Sequence, residues 1–288
     1  MARAYGARAF PDLEAMIAAD GIDVVCIATP HDLHVAQGTA AIEAGLDVFM
    51  DKPLALDPAE GRALVDLARR RGRRLGVNHN LLFHPAVAGA RRLLREGAIG
   101  RPVSAAAWSA GWLDLAPNDF RLSRERTGGG AWTDAGPHLV YTLTDLLGPC
   151  TRLAAFPATG PSRLGGEDSV AAAMAFKGGA VASLRISYAF RAPGSDLAWP
   201  DGWRQGIEIN GTEGALRAVV SPMGSVESFR AGQAGWTTAA AGLRFADSFD
   251  GAIADFLAAR TAGRDGAGSG EEALRLLALM RNGLADAG

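Results

Sequence analysis

Of the 29 basic residues in this 288-residue chain, only Lys52 and Lys177 are lysines. Lys52 sits in "DVFMDKPLAL", residues 47 to 56, between an apolar run and a proline. Arginine cannot be deprotonated in a protein, whereas a lysine whose burial lowers its proton affinity can donate and accept. A lysine kept where arginine serves almost everywhere else therefore reads as a proton-transfer group, and Pro53 holds it extended. A second group lies in "TGGGAWTDAGPHLVYTLTDLLG", residues 127 to 148. Asp134 and His138 are four apart, one turn along the same face of a helix. A carboxylate beside an imidazole can fix its tautomer and stabilise its charged form, as general acid–base chemistry requires. The three preceding glycines allow close approach of a substrate or backbone and leave N–H groups free. All five histidines precede residue 139, without HExxH or comparable spacing, so no metal site is expected.

Alternating strands and helices must position these groups. "IDVVCIATP" is a short apolar, β-branched run ended by proline, "DVFM" a second strand and "RRLGVN" a third. Between them, "HDLHVAQGTAAIEAG" reads as a helix closed by Gly45, and "DPAEGRALVDLARRRG" as a helix with Asp57 as N-cap and Pro58 at its first position. This rhythm predicts a parallel α/β sheet with crossover helices. Ligands gather at the carboxyl ends of such strands. Those ends carry Ala28, Thr29 and Pro30, followed by His31 and His34; Asp51 and Lys52; and Asn78.

After residue 101 the pattern changes to longer alternating runs with "KGG" and "GTEG" turns, which predict an α+β domain with a large antiparallel sheet over residues 102–288. Two helices close the chain, joined by "GRDGAGSG". That stretch follows a helix rather than a strand, so it reads as a joint and not a phosphate loop.

A net charge of −2 without basic patches excludes a nucleic-acid-binding signature. No run approaches the ~20 apolar residues of a membrane span. Two cysteines make no disulfide framework, and the expected location is the cytoplasm.

Together, "GIDVVCIATPHDLHVAQGTAAIEAGLDVFMDKPLAL", "FRLSRERTGGGAWTDAGPH" and "IEINGTEGALR" resemble the signature segments of the glucose–fructose oxidoreductase/inositol dehydrogenase (Gfo/Idh/MocA) family. The resemblance implies a partial Rossmann-type domain over residues 1–101, and an NAD- or NADP-dependent dehydrogenase acting on a sugar, cyclitol or related polyol. It implies that Ala28, Thr29, Pro30, His34, Asp51 and Lys52 line the cofactor. Asn78, Arg121, Asp134 and His138 would face the substrate, with Lys52 and His138 sharing the proton transfer. It also implies a homo-oligomer formed through the C-terminal sheet.

The pattern departs in three places. The motif reads D-K-P where the family has E-K-P, Pro137 is expected to bend its helix, and Tyr141 replaces a frequent Asp. The opening strand–GxGxxG–helix unit of the family has no counterpart, so the expectation is an N-terminally truncated member with impaired dinucleotide binding. A fragment and a true short form are both compatible with this. Two further readings are a cofactor-free binding or assembly protein and redox-assisted elimination or glycoside cleavage.

Overall fold

Short β-branched runs flanked by amphipathic helices build the first layer of the computed structural model, which describes residues 2–19, 21–193 and 201–285. After α1 (Leu13–Ile17), strands β1 (Val24–Ile27), β2 (Asp47–Asp51) and β3 (Leu75–Asn78) lie side by side and parallel. The crossovers are α2 (His34–Glu43) and α3 (Pro58–Arg71). The Asp57 side chain accepts from the Ala59 N–H, Pro58 occupies the first turn, and Gly72 closes α3 at φ 62°. The helix expected from His31 opens instead with a 3-10 turn over His31–Leu33. Ile42, Val48, Met50 and Leu64 are fully buried in this core. Each such side chain contributes about 1.5–3 kcal/mol of burial.

Helix α4 (Pro85–Arg95), capped by the His84 side chain, leads into β4 (Pro102–Ala110). The short α5 (Arg124–Thr127) and the long α6 (Ala131–Leu147) follow. Helix α6 carries Pro137 inside it as one continuous element. Strands β5 (Cys150–Ala158), β6 (Ser169–Phe176), β7 (Val181–Ser187), β8 (Arg204–Gly211), β9 (Gly214–Ser221), β10 (Gly224–Arg230) and β11 (Thr237–Leu243) complete the sheet. Its order is β11-β10-β9-β8-β4-β7-β6-β5, antiparallel throughout except for the β4–β7 pair. Burial alternates along β6 and β7, so one face packs under α6, with Trp132, Leu139 and Leu143 against residues such as Ile186 and Ile207.

Helices α7 (Asp247–Thr261) and α8 (Gly270–Ala285) tie the layers together. Ala273 and Leu274 of α8 enter the core of the parallel sheet, while Leu276 and Met280 enter the core of the large one. The joint before α8 does more than connect: the Val77 N–H donates to the Gly268 carbonyl at 2.7 Å, and Gly76 and Ser269 form a β-bridge on the edge of β3. Among the described residues, no helix is long and apolar enough to cross a membrane.

Candidate functional site

The carboxyl end of β2 delivers Asp51 and then Lys52, which is buried (8 % exposed). The Lys52 ammonium is ion-paired to Oδ1 of Asp134, in the first turn of α6, and also donates to the Asp134 carbonyl oxygen at 2.7 Å. The second Asp134 oxygen accepts from the Tyr188 hydroxyl at 2.6 Å. Tyr188, one residue beyond β7, packs edge-on against Trp203 with ring centres 5.0 Å apart. Lys52, Asp134, His138, Tyr188 and Arg121 share the lining of a cavity of about 420 Å³ between the parallel sheet and the large one.

Burial pushes the Asp134 carboxyl up, but the charge and hydrogen bond of Lys52, with the Tyr188 hydroxyl, outweigh it and hold the carboxyl well below the usual range. The Asp134 carboxylate acts in turn on Tyr188, whose phenol is raised well above its ordinary value, first by burial and then by the Asp134 charge. His138 is lowered to about 3, first by burial and next by Lys52. Its imidazole is therefore neutral at physiological pH, and its Nδ1 is buried without a partner among the described residues.

The expected Asp134–His138 pairing is corrected here. The two share a helix face and a cavity, yet among the described residues no hydrogen bond joins them: the carboxylate accepts from Lys52 and Tyr188 and the His138 Nδ1 stays unpartnered, so Asp134 does not fix the histidine tautomer. The glycines are corrected as well. The N–H groups of Gly130 and Trp132 donate to the Glu167 carboxylate at 3.1 and 3.0 Å, and Ala131 N–H donates to the Glu167 carbonyl at 2.7 Å. These N–H groups are not free for a ligand. A Cβ on Gly130 would lie 1.9 Å from the Glu167 carbonyl oxygen, so glycine is required there for backbone packing.

His34, expected to line a cofactor, is fully buried: one ring nitrogen lies 2.9 Å from the Thr29 carbonyl oxygen and the other 2.8 Å from that of Pro53. It brackets the ends of β1 and β2 and thereby positions Lys52. His31 is also buried, 3.2 Å from the Thr127 carbonyl oxygen, and is lowered to about 4 by burial and by Lys52. Ala28 is exposed, Thr29 and Pro30 are half-buried, and the Thr29 hydroxyl donates to Gln37 at 2.7 Å. The Asn78 amide points at Asp51, 3.4 Å away, while its own carbonyl oxygen is buried and unpartnered. Arg121 reaches the cavity but is held by both oxygens of Asp119, at 2.9 and 2.7 Å.

Sequence reasoning missed Tyr188, Ser109, Trp203 and Gln205, which come from strands β4, β7 and β8 or their ends. No local motif marks them. The one available signal is a tyrosine or glutamine ending an otherwise apolar alternation. Among the described residues no group of three or more His, Cys, Asp or Glu side chains is placed to hold a metal.

A parallel strand–helix sheet with a cavity at its carboxyl ends, beside a large and mostly antiparallel sheet, is a Rossmann-type architecture followed by an α+β unit. The chain belongs to the GFO/IDH/MocA oxidoreductase family: residues 1–79 match its "Oxidoreductase family, NAD-binding Rossmann fold" domain, and residues 87–217 match its C-terminal domain. It is 32% identical over 220 residues to 1,5-anhydro-D-fructose reductase from Ensifer adhaerens, an alignment spanning 74% of this chain and 63% of that one. It is 31% identical over 210 residues to D-apiose dehydrogenase from Paraburkholderia graminis, spanning 73% of this chain and 54% of that one. The matched stretch is thus less than two thirds of these relatives' lengths. A levoglucosan dehydrogenase solved with NADH and levoglucosan superposes with a TM-score of 0.82 at 26% identity, covering 99% of this chain and 83% of that one.

Proposed function

We propose that this chain is an NAD(P)-dependent oxidoreductase that interconverts a hydroxyl and a carbonyl on a sugar, cyclitol or related polyol. The observation that carries the reading is the Lys52–Asp134 pair, buried at the carboxyl end of β2 and opening into the cavity. The named activities of the relatives, all on sugars, support it.

The residues present fit the reactive end of a nicotinamide cofactor. Thr29, Pro30, Asp51 and Asn78 stand at three adjacent strand ends, and the buried Asn78 carbonyl oxygen has no donor among the described residues. These four residues would hold that end of the cofactor beside Lys52. No glycine-rich turn joins a described strand of this sheet to its helix, so the phosphates are not assigned a cradle. When bound, a nicotinamide supplies the acceptor for the hydrogen and electron pair removed from the carbinol carbon.

The chain's own groups handle the proton. In carbonyl reduction the Lys52 ammonium, aimed by Asp134, donates to the carbonyl oxygen. In alcohol oxidation the neutral His138 imidazole, or Lys52 once its ammonium has released a proton to solvent, takes the hydroxyl proton. Asp134 keeps the lysine in place, and Tyr188 and His34 hold Asp134 and the strand ends. The test is formation of reduced nicotinamide when the purified chain meets NAD or NADP with a panel of polyols. Failure with every polyol and both cofactors, by a folded sample that binds neither cofactor, would rule the reading out.

A further inference from the structure

Two polar side chains on the large sheet are buried in the cavity wall without a task. Ser109 of β4 and Gln205 of β8 are direct register partners across an antiparallel pair, so they stand side by side on one face. They are 4 % and 7 % exposed, and both line the cavity. Among the described residues, neither the Ser109 hydroxyl nor the Gln205 carboxamide makes a hydrogen bond, and neither is sealed from the cavity. Apart from the His138 Nδ1, the other side chains of the same wall that carry charge or amide groups have partners: Arg121 in Asp119, Asp134 in Lys52 and Tyr188, Asn80 in Ser248 at 2.8 Å. Buried polar groups are nearly always hydrogen-bonded, so an unpaired couple facing a cavity is a pair of contacts kept for a ligand.

The charges define what that ligand is. Every described cation lining the cavity is already neutralised, Lys52 by Asp134 and Arg121 by Asp119. The remaining lining charge is the Asp51 carboxylate. A phosphate or carboxylate on the substrate would meet no free positive group, and desolvating it there would go uncompensated. Trp203, Phe245 and Phe249 supply apolar faces suited to the C–H side of a sugar ring.

The geometry points to Ser109 and Gln205 as the specificity pair of this site, reading adjacent hydroxyls of an uncharged polyol at positions other than the reacting carbon. A hydroxyl and a carboxamide each offer a donor and an acceptor, as a diol does. This rests on the cavity being the substrate site of the function proposed above.

The test is calorimetric binding of myo-inositol, D-glucose and levoglucosan, their deoxy analogues, and the anions glucuronate and glucose phosphate, with nicotinamide reduction followed in parallel. At least one neutral polyol binds, and its anionic counterpart binds at least about tenfold more weakly. Ser109→Ala and Gln205→Met each weaken that polyol by about tenfold and leave the analogue lacking the recognised hydroxyl unchanged. Three results overturn the assignment: tighter binding of the anion, binding of no neutral polyol, or folded variants that bind as the parent does. The charge comparison needs no variant, so a misfolded mutant leaves the assignment testable. Sugar binding without nicotinamide reduction sinks the redox reading alone. Reduction untouched by either substitution sinks the specificity pair alone.

Discussion

Lys52 and Asp134, 82 residues apart in sequence, form an ion pair inside the cavity, with side chains only 10 % and 20 % exposed. Each is held by the other, and the Tyr188 hydroxyl completes the carboxylate's coordination. A pair this buried is weak evidence for net stability, but breaking it leaves an uncompensated charge. Lys52→Met is therefore expected to lower the unfolding free energy by about 3–5 kcal/mol. The Lys52→Met/Asp134→Asn double variant should recover much of that loss, since no charge is then stranded. Urea titration of the two variants reads both values, and equal stabilities would contradict a coupled pair.

Histidines give the fold a steep acid dependence. His79 is lowered to about 3 by burial and then by Lys52, and both its ring nitrogens are buried without partners among the described residues. An unfolded histidine titrates near 6.5, so between that pH and about 3 the unfolded chain binds a proton the folded chain refuses. Stability is then complete above about pH 6.5 and falls as pH drops, by about 1.4 kcal/mol per pH unit for each such histidine. His138 behaves alike, and His31 and His84, each lowered to about 4, add to the slope. His79→Phe keeps the edge-on contact with Tyr141, whose ring centre is 4.7 Å away. It should flatten the profile by one proton without loss of stability at neutral pH. An unchanged slope in denaturation measured from pH 7 to 4 would contradict the burial argument.

Gly130→Ala should be severe for a side chain of one carbon. The clash is with the Glu167 backbone oxygen, which cannot swing away as a side-chain tip would. Forced backbone shifts of this kind cost about 1–3 kcal/mol or more. They would also pull α6, and with it Asp134, away from Lys52. A melting temperature lowered by several degrees, together with weaker polyol binding, is the expected outcome; a wild-type melt would contradict it.

The positions of Lys52, Asp134 and His138 were legible because each lies in a local pattern: a lone lysine before proline at a strand end, and a carboxylate and imidazole one helical turn apart. Which atoms they bond was not legible. The partner of Asp134 comes from β2 and the end of β7, and no spacing within "TDAGPH" reveals that. The glycines were misread for the same reason, since their requirement comes from Glu167, 37 residues away. His34 was legible as a strand-end residue, but not as a bracket between two carbonyls, because Pro53 meets it only in the fold. The parallel sheet was predictable from apolar runs, whereas β10 and β11, rich in Ser, Thr, Ala and Gly, carry little hydrophobic period. Ser109 and Gln205 become a pair only through the β4–β8 register.

In the proposed reaction Lys52 exchanges the substrate proton, and Lys52→Arg separates that role from its charge. Arginine preserves the positive charge opposite Asp134 but cannot release a proton. With a polyol that the parent chain oxidises, the variant should remain folded and bind both nicotinamide and polyol. Its rate of nicotinamide reduction should fall by roughly 10²–10⁴-fold. A Lys52→Arg chain that turns over at the parental rate would show that Lys52 serves only as a charge and moves no substrate proton.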